Sequence, residues 1–147
     1  MANSLSKEVI IQKVARIERC LVRIRDEYQR TDLPFLENFS AQDAAILNMQ
    51  RACEQVFDIT NYIVRVKGWG SPSSRSEAID ALIVHSAISK ELGALLKKMV
   101  GFRNLAIHEY QKIDMAVLTT IIEERLIDFE EFNRSVLDLC QTNHSNE

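Results

Sequence analysis

The stretch Ala45–Val66, AILNMQRACEQVFDITNYIVRV, decides the fold class. Ala45, Met49, Ala52, Val56, Ile59, Ile63 and Val66 recur at alternating steps of four and three, the repeat of one face of an α-helix. Ile46, Cys53 and Phe57 widen that face, which places this helix at the centre of a core. Upstream, Ile10, Val14, Ile17, Leu21, Ile24 and Tyr28 follow the same rule and predict a first helix from near Lys7 to near Gln29. The segment from Thr31 to Phe39 breaks the pattern around Pro34, and Ser40 is the expected N-cap of the central helix.

Downstream, Lys67-Gly68-Trp69-Gly70-Ser71-Pro72-Ser73-Ser74 is a loop by its Gly, Pro and Ser content and too short to link domains. A short helix follows from about Arg75 to Ile83, with Ile79, Leu82 and Ile83 clipping it to the rest. Ser89 then caps a long helix whose stripe is Leu92, Leu95, Met99, Phe102 and Ala106. Asp114 caps the last helix, striped by Met115, Leu118, Ile122, Phe129, Phe132, Val136 and Leu139, with Arg125 as its only polar interruption. Four long striped helices on short connections predict an all-α, antiparallel four-helix bundle with one additional short helix. One domain is expected over residues 1–147, with a core of about 7–140 and a fraying tail at 141–147. Stripes this wide exceed an internal core, and a second apolar face on helices two and four suits a homodimer.

With 46% hydrophobic and 27% charged residues, four glycines and two prolines, the composition is that of a folded helical protein. Cys20, Cys53 and Cys140 are odd in number and lie within apolar stripes, so they read as buried hydrophobes in a reducing compartment. Met1 to Lys7 has no signal-peptide core, and no run nears the roughly 18 apolar residues a membrane span requires. A cytoplasmic location with no membrane contact is expected. The net charge of −3 argues against a general nucleic-acid coat, whose affinity comes mostly from neutralised phosphates. A locally basic site remains open, because Lys90, Lys97, Lys98, Arg103 and Lys112 crowd one stretch; they are either a solvated face or a guide for RNA.

The chemistry concentrates in Arg103-Asn104-Leu105-Ala106-Ile107-His108-Glu109-Tyr110, at the C-terminal end of the fourth helix. Arg103 carries a planar fork of donors matched to phosphate oxygens, His108 can give and take a proton near neutrality, and Tyr110 adds a hydroxyl. Together with the flanks Leu95–Phe102 and Gln111–Asp114, this segment resembles the signature of the HEPN superfamily, Arg, four to six residues, His. More narrowly it resembles the HepT toxins of HepT/MntA toxin–antitoxin pairs, whose form is Arg, four residues, His, any residue, Tyr. Every position of that form is filled here, with the polar Asn104 after the arginine.

The resemblance implies a homodimeric endoribonuclease, and it implies an MntA-like nucleotidyltransferase antitoxin that silences the toxin by adenylylating Tyr110. A phosphodiester on Tyr110 would set negative charge and adenosine bulk beside Arg103. On an ideal helix Arg103 and Tyr110 point nearly the same way, whereas His108 lies about 140° round from Arg103. Either the helix loosens near Ala106, or the arginine stem swings round, or the pair works with another subunit. Gly101, just upstream, is a candidate mark of close helix packing.

RNA scission without metal needs a base for the 2′-hydroxyl, an acid for the departing 5′-oxygen and a cation for the phosphorus-bound charge. One histidine does not fill both proton roles in a single step, which favours a composite cleft between two protomers. His108 is then the acid/base, Arg103 the clamp, Asn104 their orienting neighbour and Tyr110 a cleft residue. His85, His108 and His144 are too dispersed for a metal site, and no glycine-rich loop or other signature calls for a cofactor. Two other classes compete: a non-catalytic helical module that serves a nucleotidyltransferase, and a purely structural four-helix oligomer.

Overall fold

The computed structural model describes residues 4–30 and 32–145, with side chains described through residue 141. Helix α1 spans Lys7–Tyr28, α2 Phe39–Lys67, α3 Arg75–Val84 and α4 Lys90–His108. The last rod is α5, Met115–Thr120, a π turn over Ile121–Arg125, and α6, Leu126–Ser145. Short 3₁₀ turns at Phe35–Glu37 and Tyr110–Lys112 complete the order. The expected four-helix bundle with an extra short helix is what forms, α3 being the short one. Helix α6 runs to Ser145, into the stretch expected to fray; residues 146 and 147, and Thr31 of the first loop, lie outside the described residues.

Each helix that follows a loop begins where a side-chain oxygen can satisfy an orphan backbone donor. Ser6 Oγ accepts from Val9 N–H at 3.3 Å, Ser74 from Glu77 at 3.1 Å and Ser89 from Leu92 at 3.0 Å. Asp114 accepts from Ala116 N–H at 2.8 Å, as its sequence position predicts. The cap of α2 is Asn38 rather than Ser40: its Oδ1 accepts from Ala41 N–H at 3.0 Å, and Ser40 falls inside the first turn. The 3₁₀ turn after Pro34 delivers the chain two residues earlier than hydropathy alone indicates. At the other end of α2, Gly68 takes a left-handed φ of 67° and lets Trp69 N–H donate back to Val64 O at 3.0 Å.

The core is the meeting of the predicted stripes: Ile10, Ile17, Leu21 and Ile24 of α1, Ile46, Met49, Ile59 and Ile63 of α2, and Phe129 and Phe132 of α6 are fully buried. Cys20, Cys53 and Cys140 are free and buried. The stripe of α4 differs from expectation. Leu92, Leu96 and Ala106 are buried, but Leu95, Met99 and Phe102 are only half-buried and open onto a groove. In the last rod the π turn removes Arg125 from the stripe and brings Leu126 in. Two successive four-residue steps, Leu118 to Ile122 to Leu126, would each drift about 40° on a regular helix, and the wider turn absorbs them.

Close approach occurs at Gly93, not at Gly101. A Cβ on Gly93 would stand 2.3 Å from Ile83 Cδ1 and 2.7 Å from its Cγ1, whereas a Cβ on Gly101 meets nothing within 4 Å. Gly93 lets α4 rest against α3. Gly93→Val should therefore lower stability by about 1–3 kcal/mol through overpacking, with Gly93→Ala at the small end, read from urea unfolding midpoints.

Candidate active site

Helix α4 stays regular through His108, and Glu109 N–H closes its last turn by donating to Leu105 O at 2.8 Å. The helix does not loosen at Ala106. Nor does the arginine stem swing toward the histidine: the Arg103 guanidinium turns to α2, where its Nε donates to Glu54 Oε1 and its Nη2 is ion-paired with the same oxygen. Nη1 donates to Asn104 Oδ1 at 3.3 Å. Of five guanidinium N–H groups, two face Glu54 and one Asn104, which leaves two uncommitted. The Arg103 side chain is 16% exposed, so its fork is aimed by packing and pairing rather than free to sweep.

Glu54 is held in turn. Its Oε2 lies 3.9 Å from Arg75 Nη2, and the Arg75 guanidinium sits 4.9 Å above the Phe57 ring. His108, the last residue of α4, is exposed. Within one protomer, then, the cation and the imidazole occupy different sides of one unbroken helix, about 140° apart by helical geometry.

Tyr110 follows in the 3₁₀ turn, past the end of α4, so the ideal-helix direction does not apply to it. Its hydroxyl nevertheless reaches the same helix as Arg103, donating to Asp43 Oδ1 on α2. Asp43 and Glu54 are eleven residues apart, within about 20° on a helix, so one polar edge of α2 receives both ends of the motif. Burial, then the hydrogen bond to Asp43 and its charge, push the Tyr110 phenol up to about 12.

Residues 17–136 match the family described as ribonuclease HepT-like. The chain belongs to this family. It is 39% identical over 125 residues to the mRNA nuclease HepT of Shewanella oneidensis, a match covering 85% of this chain and 93% of that protein. A tri-AMPylated HEPN toxin from the same organism, solved in complex with an MNT antitoxin, has TM-score 0.82 and 38% identity over 87% of this chain and 96% of its own. A toxin–antitoxin crystal structure with AMP-PNP has TM-score 0.83 and 37% identity over 88% of this chain and 97% of the other. The resemblance read from Arg103, His108 and Tyr110 is thus borne out at the level of family.

As a member of the HepT-like family the chain carries its motif on a well-built frame, yet the expected basic stretch is not a uniform patch. Lys97 pairs with Asp80, Arg103 with Glu54, and Lys112 with Glu109 at 2.8 Å. An apolar groove of about 400 Å³ is walled by Leu95, Met99 and Phe102 of α4 and by Val117 and Ile121. Asp128 lies at its base, 3% exposed, with Oδ2 in no hydrogen bond and burial pushing its carboxyl up. Cys53, also on the groove, is pushed up to about 12 by burial and so is a poor nucleophile. Among the described residues no three His, Cys, Asp or Glu side chains gather as a metal site. Within the same limits no helix is long and apolar enough to cross a membrane.

Asp43 and Glu54 are the site residues that the motif alone does not announce. Their signal is the eleven-residue spacing on α2, which stays mute until α4 is known to lie against that edge. A phenol pKa raised in the folded chain favours the protonated, folded form fully below the ordinary value of about 10. That contribution fades as the pH rises through about 12. In a spectrophotometric titration Tyr110 should ionise near 12, and Asp43→Asn should lower it by the part that Asp43 supplies, leaving the part due to burial.

Proposed function

We propose that this chain is the toxin of a toxin–antitoxin pair, an endoribonuclease that cuts RNA in a composite cleft between two identical protomers. Family membership supports the reaction class, and the named activity of the Shewanella relative, an mRNA nuclease, supports RNA as substrate. The observation that carries the composite cleft is the unbroken α4, with Arg103 anchored to Glu54 on one side and His108 exposed on another. A single protomer offers one imidazole, about 140° round the helix from its own arginine. Two protomers related by a two-fold axis offer two of each, enough for a base, an acid and a pair of phosphate clamps. The apolar groove along α4 supports the pairing, since a second copy would cover it.

In this mechanism one His108 takes the 2′-hydroxyl proton, and the oxygen attacks the adjacent phosphorus. The P–O5′ bond breaks, and the partner's imidazole, as imidazolium, protonates the leaving 5′-oxygen. The free donors of Arg103 hold the equatorial oxygens as charge builds, and Asn104 keeps the fork in plane. The products are a 2′,3′-cyclic phosphate and a 5′-hydroxyl, formed without a metal ion. A cytoplasmic setting fits both the substrate and three buried thiols.

The proposed regulator is an MntA-like nucleotidyltransferase antitoxin that transfers adenylyl groups to Tyr110. A neighbour of known structure is a tri-AMPylated toxin bound to its antitoxin, which supports this assignment. Tyr110 is 43% exposed and hydrogen-bonded to the edge of α2 that also holds Arg103, so an adenylyl group there would obstruct RNA at the clamp.

His108→Ala and Arg103→Ala should each lower RNA cleavage in the presence of a chelator by at least about 10²-fold, with the wild-type products carrying cyclic phosphates. Undiminished cutting by His108→Ala, measured on purified dimer, would overturn the acid/base assignment. In cells, Tyr110→Phe should remain toxic but resist the cognate antitoxin, and mass spectrometry of the wild type should place the added mass on Tyr110.

A further inference from the structure

We propose that Asp43 is the base that receives the phenol proton of Tyr110 when that hydroxyl is adenylylated. The inference rests on the reading of Tyr110 as the modified residue and adds a catalytic group supplied by the toxin itself. Its support is geometric. Asp43 Oδ1 accepts the hydrogen bond of the Tyr110 hydroxyl, across a gap of 67 residues in sequence, from the first turns of α2 to the 3₁₀ turn after α4. Both residues are exposed, so a docked nucleotidyltransferase can present a nucleotide to this oxygen without opening the fold.

Other charged groups near the turn are differently engaged. Glu109 and Lys112 pair with each other at 2.8 Å, and Asp114 caps the backbone of α5. His108 ends α4, and from α2 it is the Asp43 charge that acts on the phenol. A phenol ionising near 12 holds almost no phenolate at neutral pH, so its proton must leave as the new bond forms. The Asp43 carboxylate already lies on the path of that proton.

The step balances as follows. The Tyr110 oxygen attacks the α-phosphorus of ATP and forms the P–O bond. The bond from the α-phosphorus to the oxygen bridging the β-phosphate breaks, and pyrophosphate leaves with that electron pair. The phenol proton passes to Asp43 and from there to water. The hydrogen bond also fixes the direction of the attacking lone pair, a positioning gain beyond the proton transfer.

The test incubates the full-length toxin with its cognate antitoxin, magnesium and ATP, and follows label on Tyr110 by mass spectrometry for wild type, Asp43→Asn and Tyr110→Phe. Asp43 is an exposed residue, so the Asn variant should fold. At pH 7 Asp43→Asn should slow labelling by about 10²–10³-fold. That deficit should shrink about tenfold per pH unit as the phenol begins to ionise by itself. Labelling of Tyr110 in Asp43→Asn at the wild-type rate, or with a deficit constant across pH, would overturn the role of Asp43 and leave Tyr110 as the target. Label that persists in Tyr110→Phe would instead overturn the target, and this inference with it.

Discussion

The ion pair between Arg103 and Glu54 is the constraint on which the site depends. Glu54 belongs to α2, whose residues Cys53, Val56 and Phe57 are buried, so the carboxylate is mounted on a helix packed into the core. Arg103 inherits that rigidity across the helix interface. The pair lowers the net positive charge that an approaching phosphate meets, but it fixes the plane of the guanidinium and the direction of its remaining donors. For a reaction that asks for charge stabilisation at one place, aim outweighs total charge. Arg75 on the far oxygen of Glu54 keeps the carboxylate from rotating away.

An acidic protein that handles RNA is less paradoxical on this view. Three cations of the Lys90 to Lys112 stretch sit against carboxylates, so that stretch is not a general polyanion magnet. Affinity from counterion release is correspondingly small. In the proposed composite site, recognition would rely on the shape of the cleft and on a few donors directed into it.

Much of the architecture was legible in the chain because hydrophobic period is a local property. The four-and-three steps from Ala45 to Val66 and from Ile10 to Tyr28 forecast α1 and α2 closely, and Ser89 and Asp114 forecast two caps. The departures have common physics: they depend on what a residue meets, not on where it falls in a repeat. Asn38 displaced Ser40 because the turn after Pro34 set the helix entry. Gly93 rather than Gly101 faces a neighbour because Ile83 lies opposite only the former. The motif named Arg103, His108 and Tyr110, but Asp43 and Glu54 lie 67 and 49 residues from their partners. No local pattern joins positions so far apart.

The π turn at Ile121–Arg125 takes up one surplus residue in the last rod. Downstream, Leu126, Phe129 and Phe132 fill the interior; upstream, Val117 and Ile121 form one wall of the groove. Deleting one residue from that wide turn would convert the two four-residue steps from Leu118 into a four and a three, so the segments on either side would keep their facings to within about 20°. The groove would keep its wall and the interior its fill. The surplus residue is thus absorbed where it sits, and the last rod tolerates a change of length there without disturbing either the outer recess or the packing within.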